Sequence, residues 1–160
     1  MVNQDPQPEV YTTIHDFTPL AVGAGTQNTV NIFTNQANNE ECRIYAVAVE
    51  ITALAGGAQL VGTTDPKFTM PSDLTLTLNV GANAVPSNAF DIGWIYGQED
   101  QTMSFTVPVL ALFQQPLSVT VTANSILPVF NFGGAAADTV RVKISLISEL
   151  AIQKIAARSM

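Results

Sequence analysis

The chain has one histidine, one cysteine and six cationic side chains in 160 residues. Zinc sites of the finger type need several His and Cys ligands, so a single His15 and a single Cys42 exclude them. One cysteine also excludes an internal disulfide framework, and Cys42 reads as a buried, inert thiol. His15 lies in a polar N-terminal segment and reads as a surface side chain, with no Ser-His-Asp or Cys-His arrangement around it. A carboxylate-only calcium site has candidates in Asp91, Glu99 and Asp100, and in Glu40 with Glu41, but none follows a calcium-loop pattern. Gly133-Gly134 and Gly23-x-Gly25 lack the Lys-Ser/Thr and the helix that a phosphate loop requires. These absences predict a protein that is not an enzyme and carries neither cofactor nor metal.

Charge is scarce as well. Charged residues make up 12% of the chain against a usual quarter, while hydrophobic residues reach 47%. Residues 101–137 contain no charged side chain. Soluble monomers keep more charge than this on their surface, and interface cores are depleted of it, so the composition points to surfaces that lie against other subunits. The net charge of −7 argues against nucleic-acid binding, because the body repels phosphates. Apolar runs are short. The longest, VPVLALF at 107–113, falls well below the ~20 residues of a membrane-spanning helix. The opening MVNQDPQPEVYTTIHDF has neither the basic nor the apolar region of a signal peptide.

What remains is period-two alternation, the mark of strands. Candidate strands are FTPLAV (17–22), TVNIFT (29–34), RIYAVAVEITAL (43–54), AQLVG (58–62), LTLTLNV (74–80), IGWIY (92–96), MSFTVPVLALF (103–113), LSVTVT (117–122), ILPVFNF (126–132) and TVRVKISLI (139–147). Tyr45, Val47, Val49 and Ile51 share one face of the third. GANAVPSNAFD (81–91) reads as a loop, and Pro108 and Pro128 mark edges or bulges. Short strands with turns every ~8–15 residues, and no helical stripe before residue 148, predict an all-β antiparallel sandwich. The expected organisation is an extended N-terminal arm over 1–16, one sandwich domain over 17–148, and a C-terminal arm or short helix over 149–160.

Two places on this frame are candidates for recognition. Trp94 and Tyr96, two apart in a predicted strand, are a possible glycan platform; the competing reading packs both into the core. The second place is the end of the chain. From residue 139 onward it holds four bases, Arg141, Lys143, Lys154 and Arg158, and one acid, Glu149, whereas the preceding residues hold two bases and twelve acids. Arg141 and Lys143 alternate with Val140, Val142 and Ile144 and so share the outer face of the last strand. Period two can be continued to Leu150 and Ile152. Alternatively Ser148 caps a short helix whose last turns carry Lys154 and Arg158, and we expect a strand to about residue 148 with a helix or arm beyond it.

FTMPSDLTLTLNV and TVRVKISLISELA are similar to strands of the single-jelly-roll capsid proteins of tailless icosahedral viruses with an internal membrane. In size the chain most resembles the small major capsid protein of the Thermus-phage type, an architectural likeness over roughly residues 17–150. The resemblance implies a jelly roll of about eight strands in two facing sheets, standing upright in a virion shell. Its partners would be copies of itself and a second, larger capsid protein, with the basic tail against a neighbour's acidic patch or the internal membrane. It implies synthesis in the host cytoplasm. The alternative is a phage decoration, spike or tail-tip domain that binds a coat protein or a glycan.

Overall fold

The computed structural model describes residues 7–18, 25–33, 40–59, 74–112, 115–124, 131–132, 135–136 and 139–152. They form eight long strands: β1 (Gln7–Phe17), β2 (Thr26–Phe33), β3 (Glu40–Ala55), β5 (Leu74–Val80), β6 (Asn83–Asp91), β7 (Thr102–Ala111), β8 (Leu117–Ala123) and β11 (Thr139–Ile152). Three two-residue strands, β4 (Ala58–Gln59), β9 (Asn131–Phe132) and β10 (Ala135–Ala136), and one helical turn, α1 (Ile92–Tyr96), complete the set.

The long strands divide into two antiparallel sheets. In one the order is β1-β11-β3, with β7 on the free edge of β3 beside the short β4. In the other it is β2-β8-β5-β6. Counting long strands only, these are orders 1-8-3-6 and 2-7-4-5, the double Greek key of a jelly roll. The all-β sandwich expected from the alternation is the observed fold.

The inner faces follow from the sequence pattern. β5 buries Leu74, Leu76, Leu78 and Val80 and leaves Thr75, Thr77 and Asn79 outside. β8 buries Leu117, Val119, Val121 and Ala123, and β11 buries Val140, Val142, Ile144 and Leu146. Each Leu, Val or Ile among them contributes about 1.5–3 kcal/mol when fully withdrawn from water. Gly56 and Gly57, both at positive φ, turn β3 into β4, a reversal that the mirror-image hairpin turns require.

Several elements differ from the sequence reading. The N-terminal segment is no arm from Gln7 onward: it is β1, paired with β11 from Gln7↔Leu150 to Phe17↔Val140. The last strand does not give way to a helix after Ser148, because pairing with β3 continues to Ile152↔Glu40. The loop reading of 81–91 is replaced by β6, in which residues 86–89 drop out of the ladder between Phe90↔Leu76 and Val85↔Leu78. Pro86 lies in that unpaired stretch, where it removes no ladder hydrogen bond. Pro108 lies in the corresponding irregularity of β7, between Ser104↔Ala46 and Val109↔Ile44. FTPLAV beyond Thr18, Pro128 and residues 153–160 fall outside the described residues.

β3 carries a bulge at Tyr45. Its partner strand steps from Ile147↔Ala46 to Ser148↔Ile44, leaving Tyr45 as the extra residue. Cys42 and Ile44 point inward before it, and Val47, Val49 and Ile51 after it. Tyr45 does not share their face, contrary to the simple alternation. Its hydroxyl instead donates to the Glu149 carboxylate across the outer surface, at 2.9 Å.

Candidate interaction surfaces

The outer face of the β1-β11-β3-β7 sheet collects the cations of the last strand. Arg141 donates from Nε and Nη2 to both oxygens of Asp16, each at 2.8 Å. Asp16 is its direct neighbour on β1. This bidentate bond holds the Asp16 carboxyl below the ordinary range and raises the Arg141 guanidinium. Lys143 donates to Glu50, its neighbour on β3, at 2.9 Å. At the other end of the face Arg43 donates to Glu41 at 2.6 Å. Solvent-exposed pairs of this kind add about 0–1 kcal/mol each. Their larger consequence is electrostatic: Arg141 and Lys143 spend their charge inside their own sheet. Lys154 and Arg158 lie outside the described residues.

Between these charged ends lie one polar row, Thr12–Ser145–Ala48, whose two hydroxyls share a hydrogen bond of 3.2 Å, and one apolar row. Val10, Ile147 and Ala46 form one cross-strand row. Val10 is 63% exposed and Ile147 42%. Ile14 lies on the same face beside Lys143, and Leu110 lies beside Arg43. A hollow of about 210 Å³ opens among Ala48, Glu50, Ser145, Asp100 and Gln101.

β1 carries mixed polarity on both faces. Val10 and Ile14 face outward with Thr12 and Asp16, while Thr13 and His15 are buried beside Phe17 and Tyr11 packs against the core. His15 is no surface residue: it is fully buried and joins the two sheets. Its Nδ1 donates to the Asn28 carbonyl on β2 at 3.0 Å, with the Asn28 side-chain oxygen at 3.2 Å. That fixes the proton on Nδ1, so Nε2 accepts from the Thr13 hydroxyl, at 2.9 Å. Burial pushes the imidazole below its usual pKa, which keeps the ring neutral. Nothing in Thr-Thr-Ile-His-Asp signals this, because the stretch looks polar whichever face is turned inward.

The outer face of β2-β8-β5-β6 is built differently. Three cross-strand rows, Gln27–Thr122–Thr75, Thr29–Thr120–Thr77 and Asn31–Ser118–Asn79, cover it with uncharged polar groups. Thr29 and Thr120 share a hydrogen bond of 2.8 Å, and the Asn79 amide donates to Thr120 and Ser118 at 2.9 and 3.2 Å. The hydroxyls bond one another, as cross-strand threonine pairs do.

The aromatic pair is not a two-residue platform. IGWIY is the helical turn α1 rather than a strand. Asp91 caps it by accepting from the Trp94 amide at 3.1 Å, and Ile92 and Ile95 turn inward. On a helix, residues two apart do not share a face. Trp94 is 55% exposed, against the core reading, while Tyr96 packs against the core. Five residues are too few to show a helical period. Cys42 is buried, as expected, and burial raises its thiol pKa.

Among the described residues, no three His, Cys, Asp or Glu side chains converge as metal ligands would, and no helix is long and apolar enough to cross a membrane. No protein-family model matches the chain, and no curated protein matches it.

Proposed function

We propose that the chain is a viral coat subunit, a single jelly roll that builds an icosahedral shell beside copies of itself and a second coat protein. The observation that carries this reading is the combination of jelly-roll strand order with outer sheet faces that present little net charge. Fold alone does not confer function, so the weight rests on the surfaces. One outer face has its three cations held in in-plane ion pairs, and the other is tiled with hydroxyls and amides. Contacts through such faces are individually weak and sum through multivalency.

The basic end of the chain has a role in this scheme. With Arg141 and Lys143 already paired, Lys154 and Arg158 are the groups left to meet a neighbour's acidic patch or an anionic membrane beneath the shell. Near such a membrane each base contributes about 1 kcal/mol. Residues 149–152 belong to β11, so the truncation that tests the tail removes 153–160 only. The shortened chain should fold normally and assemble poorly when co-expressed with a larger coat protein. Normal particles from it would reduce the tail to a solvated end. A second reading, a decoration or spike domain that binds a glycan, is favoured only by the exposed Trp94. Trp94→Ala abolishing binding on a glycan array would support that reading over the first.

A further inference from the structure

We infer that the outer face of the β1-β11-β3-β7 sheet is a two-fold contact with a second copy of this chain. The inference rests on the assembly reading and names one of its surfaces. Three observations carry it.

The first is where the exposed apolar groups lie. Of the seven large apolar side chains exposed among the described residues, Val10, Ile14, Leu110 and Ile147 share this face. Val10 and Ile14 are there because β1 turns Tyr11, Thr13, His15 and Phe17 inward, and a one-residue slip of β1 would expose Phe17. The buried bonds of His15 to Asn28 hold the register that keeps Val10 and Ile14 outside.

The second is charge. The chain carries a net −7, so two copies repel over most of their surfaces. Every cation among the described residues, Arg43, Arg141 and Lys143, lies on this face and is bonded to a carboxylate on it. No cation lies off the face among those residues, whereas Asp91, Glu99 and Glu9 do. Three ion pairs offset much of the acid on this face, which lowers the repulsion between two acidic copies that meet there. A two-fold axis, which sets like against like, demands that property.

The third is size. Four strands ~4.8 Å apart and about ten residues long cover roughly 600 Å² on each copy. Two such faces bury about 1,200 Å², the lower bound of a specific interface. The area fits a weak contact that is completed by other contacts in an assembly.

The test uses the full chain in sedimentation velocity over a range of concentrations. The double variant Val10→Glu/Ile147→Glu places two charges in the central row. The control, Gln27→Glu/Asn31→Glu, adds the same charge to the exposed outer side of β2 in the other sheet. We expect a concentration-dependent dimer that the first variant weakens at least 100-fold and the control leaves within about threefold, since buried unpaired charge is strongly disfavoured. As a check independent of the charged variant's folding, Ile147→Cys should be joined into dimers by a short bis-maleimide, Cys42 being buried. Equal weakening by both double variants, or association unchanged by either, overturns the face and leaves the assembly reading standing. A chain that stays monomeric alone yet enters particles with a second coat protein also overturns the self-contact while the assembly reading stands. Failure to associate in either setting overturns both.

Discussion

Acidification from about pH 7.5 to about pH 5.5 should weaken the fold through His15, before the carboxylates begin to titrate. In the folded chain the ring is neutral and buried, with its pKa lowered from the ordinary 6.5 by loss of solvent. In the unfolded chain it takes up a proton near 6.5. Below that pH the unfolded state therefore binds more protons than the folded state. The His15 contribution is fully present above 6.5 and is lost as pH falls toward the lowered folded value. The slope cannot exceed about 1.4 kcal/mol per pH unit for one proton. Nearby charge opposes the effect only in part: Asp16 favours the imidazolium, but its carboxylate is already engaged by Arg141. Asp16 has its own pKa lowered from 3.8, so its contribution is lost only in a more acidic window. The assay is urea denaturation at both pH values for the wild type and for His15→Gln. The amide can still donate to the Asn28 carbonyl but cannot ionise. Its imperfect fit should cost about 1–3 kcal/mol at either pH. The variant should lose the pH dependence in this window. A wild type equally stable at both values, or a variant as pH-sensitive as the wild type, would refute the argument.

Three further outcomes follow from the same geometry. Leu78, fully buried in the middle of β5, should cost about 2–5 kcal/mol when replaced by Ala, read as a lower urea midpoint with unchanged m-value. Arg141→Ala should cost less than about 1 kcal/mol, because the pair with Asp16 is partly exposed on both sides; a loss several times larger would mean that the pair holds β1 in place. Cys42 should resist a thiol reagent in native buffer, since burial raises its pKa, and react at once in urea; fast native labelling would contradict its burial.

The sequence and the structure agree best where one face of a strand is purely apolar. LTLTLNV is β5 to the residue, because four inward aliphatics and three outward polar groups leave one orientation. Agreement fails where the pattern is interrupted by one residue or by mixed polarity. The bulge at Tyr45 cannot be seen in RIYAVAVEI, since an inserted residue shifts the phase without changing the composition. β1 escapes the period-two pattern because its inner face mixes Tyr11 and Phe17 with Thr13 and His15, and the burial of His15 depends on a partner, Asn28, supplied by the other sheet. β6 was hidden by Pro86, whose cost disappears once the ladder lets residues 86–89 go unpaired. Of the four tail bases, the alternation placed Arg141 and Lys143 correctly on the outer face. It could not show that Asp16 and Glu50 lie directly opposite them, because register is a property of pairing.

The most direct test of the central claim is sedimentation and negative-stain microscopy of the full chain, alone at rising concentration and co-expressed with a larger jelly-roll coat protein. The account predicts dimers that grow into regular assemblies, and particles that contain this chain when the second protein is present. A single monomer boundary at every concentration, together with particles that exclude the chain, would contradict it.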